Sequence, residues 1–234
     1  MTVLRTLATH EVVQRTFPRP PPTEADQVAM AVGKAIDGTL AQVGYEARLG
    51  RRPTQTAALA HAGALLGEAL AEAAVELPSA ERERILARVR DVVQAYRRSA
   101  IFGLTRPKSR VIVIGGEVGV YAQPDFWDGR SRFYELKSYL AIPPPPDVAL
   151  QVRLFQLAFP SLEGVLVCID RHATPITTTV AALPPPTDPE RDDALRLAFD
   201  LGREFGREKV LEYMEGPFVR YDRPGARGTG SSAP

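Results

Sequence analysis

Three charged side chains in the stretch Tyr121 to Leu140 set the chemistry this chain could do. Asp125 follows Pro124, and further on come Glu135-Leu136-Lys137. On a strand, side chains alternate between faces, so Glu135 and Lys137 project together while Tyr134, Leu136 and Ser138 point the other way. Burying such charges unpaired on an otherwise apolar strand costs roughly several kcal/mol. An isolated Glu-x-Lys is common and usually a surface pair. The Pro124-Asp125 upstream shifts the reading towards function.

Asp125 supplies a second carboxylate only if the two strands pair suitably. Asp128-Gly129 invites a two-residue type I′ turn, which places Asp125 opposite Arg132 and away from Glu135. A loop of about five residues centred near Arg130 places Asp125 across from Glu135 instead. Opposed Cβ atoms then lie roughly 4.5–5.5 Å apart, close enough for both carboxylates to hold one cation. We expect the wider loop. Two carboxylates, the backbone carbonyl of Leu136 and waters make a hard-oxygen site of the kind Mg²⁺ or Mn²⁺ prefers. Lys137 beside it can orient or deprotonate a water, or neutralise a developing phosphorane. This is phosphodiester hydrolysis.

The elements that must position these residues follow from pattern. Val28, Val32, Ile36, Leu40 and Val43 predict a first long helix, Thr54 to Glu76 a second, and a third capped by Ser79 and running to about Arg98. Strands are expected at 110–115, 117–126 and 132–140, with Pro143 to Pro146 ending the last. Asp147 opens a helix to about Phe159, whose apolar stripe includes Gln151. Gly164 to Ile169 is a short apolar run, hence a buried strand, and 177–181 an edge strand. A last helix is expected over 189–214. The order is that of an α/β sandwich with mixed pairing.

Pro124-Asp125 followed by Glu135-Leu136-Lys137 resembles the signature of the PD-(D/E)XK nuclease superfamily. Gln151 to Phe155 is similar to the Q-x-x-x-Y motif of its RecB-like branch, with Phe155 in place of Tyr. The resemblance runs from about Arg110 to Asp170. It implies a restriction-endonuclease-like αβββαβ core with a mixed sheet, preceded here by a helical elaboration. It implies a Mg²⁺- or Mn²⁺-dependent nuclease acting on DNA, with Asp125 and Glu135 on the metal, Lys137 assisting a water and Gln151 near the site. Without the resemblance, Gln151 reads as a core amide satisfied by backbone. RecB-like members often place a metal-binding His in a G-x-x-x-H setting. Gly33 to Asp37 has that spacing with Asp37 at the His position, and His61 is a further candidate ligand. Arg97, Arg98, Arg106, Lys108 and Arg130 are candidate nucleic-acid contacts.

The 234 residues suit one domain with a sizeable core. We expect an N-terminal arm at 1–22, ending in the stiff Pro18-Arg-Pro-Pro-Pro22. A single domain should follow at 23–215, with a helical part 23–105 and a catalytic core 106–215, and then a disordered Gly/Ser/Pro tail at 216–234. The net charge of +1 means that phosphate contacts must come from local patches. One cysteine, Cys168, excludes a disulfide within the chain and a four-cysteine iron–sulfur cluster. No apolar run suits a membrane span or a secretory signal, so the expected compartment is the cytoplasm. Two other readings remain: a non-catalytic nucleic-acid-binding or assembly subunit that keeps the fold, and a protein that binds partners through its Pro-rich segments.

Overall fold

The structure, a computed structural model, describes residues 2–211, 214 and 216–224. Two mixed sheets share the chain between them. The first has the order β8-β1-β3-β2-β9, with β1 at Val3–Ala8, β2 at Arg110–Ile114, β3 at Val118–Ala122, β8 at Arg207–Val210 and β9 at Phe218–Tyr221. The second has the order β4-β5-β6-β7, with β4 at Phe126–Trp127, β5 at Arg132–Lys137, β6 at Glu163–Asp170 and β7 at Thr177–Leu183. The chain passes from one sheet to the other between Ala122 and Phe126. Pro124 marks the crossing, because it has no N–H with which to extend the β2–β3 ladder beyond the Arg110–Ala122 pair.

Helix α5 (Pro146–Ala158) lies between the sheets and is buried nearly all round. Around it pack Ile112 and Val120 of the first sheet, Phe133, Leu166 and Cys168 of the second, and Phe199 of helix α6 (Asp188–Phe205). The other face of the second sheet, with Val165, Val167 and Ile169, packs against helices α2 (Glu24–Arg48) and α4 (Ser79–Arg98) through Ile36, Val89 and Tyr96. Helix α3 (Gln55–Glu72) packs outside them on α2, through Leu66 and Leu70. Both faces of β6 are therefore covered, as expected of a continuous apolar strand. Odd and even residues of β5 divide in the same way: Phe133 joins the α5 core, and Tyr134 and Leu136 pack against the helical core.

The one mixed sheet implied for the core is two sheets, and four further expectations are corrected. Residues 3–16 are not an arm: β1 sits inside the first sheet, parallel to β3, and helix α1 (Thr9–Thr16) follows it. Leu4 and Leu7, both buried, face opposite sides of the sheet. The last helix stops at Phe205 rather than continuing to 214. Gly206 ends it where an added Cβ would stand 2.3 Å from the Gly202 carbonyl, and β8 begins at once. Residues 218–221 of the expected tail form β9 beside β2, while 225–234 lie outside the described residues. Pro78, not Ser79, is the N-cap of α4, its carbonyl accepting from the N–H groups of Glu81 and Arg82. Among the described residues, no helix is long and apolar enough to cross a membrane.

Candidate functional site

The loop between β4 and β5 is the wide one. Asp128 closes it by accepting through Oδ1 from the backbone N–H groups of Arg130, Ser131 and Arg132, at 2.8, 3.0 and 3.1 Å. Gly129 takes the left-handed conformation, φ 78°, that this turn requires. Phe126 then pairs with Tyr134 and Trp127 with Phe133. One step further, the same register sets Asp125 opposite Glu135.

Strand geometry makes that pair a close one. Asp128 donates its N–H to the Arg132 carbonyl, so 128–132 is a hydrogen-bonded pair and 125–135, by alternation, is not. Pairs of that second kind have Cα atoms about 4.5 Å apart and their side chains closest. The next hydrogen-bonding partner for Leu136 would be Pro124, which has no N–H. Leu136 instead donates its N–H to Asp125 Oδ2, at 2.9 Å. Its carbonyl, which projects to the same edge, receives no hydrogen bond from Pro124. The proline thus leaves a backbone oxygen beside the two carboxylates.

Lys137 and Gln151 complete the group. Lys137 Nζ donates to Glu135 Oε1 at 2.8 Å and to Gln151 Oε1 at 2.9 Å. An ammonium only donates, so the oxygen of Gln151 must face it and the NH₂ group is left to donate elsewhere. The fate of a backbone-satisfied core amide falls to Gln156 instead, whose Nε2 donates to the carbonyls of Leu183 and Pro184. Glu135 is 4 % exposed, and its second oxygen, Oε2, is buried with no hydrogen-bond partner.

Burial, and then the like charge of Asp125, push the Glu135 carboxyl up to about 8 against the pull of Lys137. Burial pulls Lys137 down, but the charge of Glu135 outweighs it and the net direction is up. The two directions conflict, since the second requires an ionised Glu135 and the first favours a neutral one. We stand on the rise at Glu135, because burial and the like charge of Asp125 both oppose ionisation, and Lys137 pairs with only one of its two oxygens. Asp37 on α2 is also raised, to about 6, first by the protein crowded around it and then by Asp125, with Lys137 and Arg171 opposing. Asp37 keeps an exposed surface, so crowding rather than full removal from water does the raising.

These shifts set a sign for stability. Between pH 4.5 and about 8 the folded chain keeps a proton on Glu135 that the unfolded chain has released. Metal-free stability is therefore fully present below that window and falls as pH rises through it. Asp37 adds in the same direction between 3.8 and about 6. Calorimetry in EDTA should show Tm falling by roughly 6–16 °C from pH 5 to 8, equivalent to about 3–4 kcal/mol. Glu135→Gln should remove most of that slope. A Tm that rises over the same range would contradict the assignment.

A cleft of about 610 Å³ opens on the pair, lined among others by Asp125, Glu135, Gln151 and Arg106. Asp37 comes within electrostatic reach of Asp125 and Lys137. His61, half-buried on α3, is not part of the lining. Of the cationic candidates only Arg106 lines the cleft. Arg97 donates to the Pro53 carbonyl at 2.6 Å, and Arg98, Lys108 and Arg130 are exposed outside it. Among the described residues, no group of three or more His, Cys, Asp or Glu is placed to hold a metal ion. Sequence reasoning missed three further lining residues, His10, Tyr121 and Lys209. No local motif marks them, because β1, β3 and β8 meet only through long-range pairing.

No family model matches the chain. No curated protein matches it either. Among solved structures, one described as "Crystal structure of SSO0001" is 16% identical over 84% of each chain, with a TM-score of 0.37. At that level the likeness bears on neither fold family nor chemistry.

Proposed function

We propose that the chain is a metal-dependent nuclease that hydrolyses phosphodiester bonds in DNA, built on a restriction-endonuclease-like core of α4, β2, β3–β4, β5, α5 and β6. The observation that carries this reading is the meeting of Asp125 and Glu135 at the end of the β4–β5 register, where the Leu136 N–H donates to Asp125 Oδ2 and the buried Glu135 Oε2 has no partner within the protein. An unpartnered carboxylate oxygen beside a second carboxylate and a backbone carbonyl fits a hard divalent cation, which typically takes one or two carboxylates and keeps several waters. Asp125 and Glu135 would hold Mg²⁺ or Mn²⁺ with the Leu136 carbonyl. When bound, the ion polarises a phosphate oxygen and acidifies a water.

The chain's own groups divide the remaining work. Asp125 uses one oxygen on the Leu136 N–H, which fixes its orientation and leaves the other for the ion. Lys137 uses two of its three hydrogens on Glu135 and Gln151. The third can steady the attacking water or the charge that develops on the phosphorus oxygens. Gln151 positions Lys137 and offers its NH₂ group to a water or phosphate oxygen.

Gln151→Leu tests this division. It leaves one ammonium hydrogen unpaired and should cost about 1–3 kcal/mol of stability. Cleavage by the folded fraction should fall by roughly one to three orders of magnitude. Melting temperature and single-turnover cleavage on one preparation separate the two effects. Native turnover in a folded variant would remove Gln151 from the site.

A further inference from the structure

We propose that the same cleft carries a second phosphate subsite, formed by His10 and Lys209, that holds the nucleic-acid strand away from the bond being cut. This rests on the nuclease reading and adds to it a stretch of substrate that the chain must grip. The chain leaving β3 lines the cleft with alternate residues, Tyr121, Gln123 and Asp125. Tyr121 and Lys209 belong to the first sheet, whereas Glu135 belongs to the second, beyond the crossing at Pro124. A cation beside Tyr121 therefore stands on a different element from the carboxylate pair and is placed to meet a different negative charge.

Lys209 and His10 are placed for it. Lys209 Nζ sits 4.9 Å from the centre of the Tyr121 ring, which holds the ammonium without neutralising it. His10 enters from the first turn of α1, beside Thr9, whose hydroxyl donates to the Tyr121 carbonyl at 2.9 Å. Arg132, Arg153, Arg191 and Arg196 are each tied to a carboxylate, whereas among the described residues neither His10 nor Lys209 is. The cleft is thus lined by the carboxylates Asp125 and Glu135 and also by Lys209, His10 and Arg106. A ligand that satisfies both groups bears negative charges at intervals along an extended backbone. A nucleic-acid strand does, and a phosphate monoester does not. Both residues come from β1–α1 and β8, outside the stretch 110–170 that carries the nuclease-like motifs.

The test is binding without cleavage. Anisotropy of fluorescein-labelled oligothymidylates of two to twelve nucleotides is measured in EDTA across a range of salt. Affinity should climb steeply once the strand is long enough to reach both groups. Lys209→Ala should weaken the twelve-nucleotide probe by about 5–10-fold and flatten the slope of log K against log [salt] by about 0.7, the share of one phosphate on a single strand. His10→Ala should weaken it by about 2–5-fold. Arg84→Ala, on the exposed face of α4, should change neither quantity. Native affinity and slope in Lys209→Ala would overturn the subsite, as would an equal loss in Arg84→Ala or no measurable binding by the native chain at any length. Binding of the expected kind with no cleavage in Mg²⁺ or Mn²⁺ would overturn the nuclease reading and leave the subsite standing.

Discussion

Asp125→Asn is expected to leave a folded protein that binds nucleic acid at least as well as the native chain and cuts it about a thousandfold more slowly or worse. The amide oxygen of Asn can still accept the Leu136 N–H, so the crossing between the sheets keeps its anchor. The negative charge that would hold the cation is gone, and losing a metal ligand should cost at least as much as losing one oxyanion donor, about 10²–10³. Affinity should hold or improve, because a carboxylate no longer faces the phosphates. A further consequence follows for Glu135, which loses the like charge that helps raise it. The metal-free fall of Tm with rising pH should therefore shrink as well. Single-turnover cleavage, anisotropy and calorimetry on one variant read all three. Cleavage at the native rate would show that Asp125 is not a required ligand.

Lys137→Met is the second large effect. It keeps the stem that packs beside α5 and removes the ammonium from Glu135 and Gln151. Glu135, already 4 % exposed and without a partner for Oε2, would lose its remaining hydrogen bond. Its carboxyl should then rise further and stay protonated at neutral pH. Protonation limits the cost of folding to that of unmade hydrogen bonds, about 1–3 kcal/mol. Removing the group that steadies the water or the developing charge should lower cleavage by roughly 10²–10⁴. If Lys137 serves only the fold, the folded fraction of the variant will cut at the native rate, and its place in the chemistry falls.

How legible the site was depended on how far apart its parts lie in the chain. Asp125, Glu135 and Lys137 are close in sequence, and strand parity with one choice of loop length was enough to bring them together. Gln151 could be placed on its helix from the apolar stripe, but its contact with Lys137 depends on how α5 packs between two sheets. Asp37 reaches the group only because α2 crosses the outer face of the second sheet. The single sheet implied by the motifs became two, divided at Pro124, where the missing N–H both ends a ladder and leaves a backbone oxygen open. Strand β1 was hidden because its neighbours β3 and β8 lie far along the chain, and because Leu4 and Leu7 are buried on opposite faces rather than alternating with polar residues. Strands β8 and β9 are short and were read as helix and tail for want of any local periodicity. The part of the cleft lining that His10 and Lys209 supply, which depends on β1 and β8, was hidden with them.

The central claim is that Asp125 and Glu135 hold a divalent cation that cuts a phosphodiester bond. It is tested most directly by incubating the purified chain and its Glu135→Gln variant with single- and double-stranded DNA and RNA in Mg²⁺, in Mn²⁺ and in EDTA. The account predicts cleavage of DNA by the native chain in Mg²⁺ or Mn²⁺, with none in EDTA and none by the variant in any condition. Binding without cleavage under every metal condition, or cleavage that survives Glu135→Gln, would contradict it.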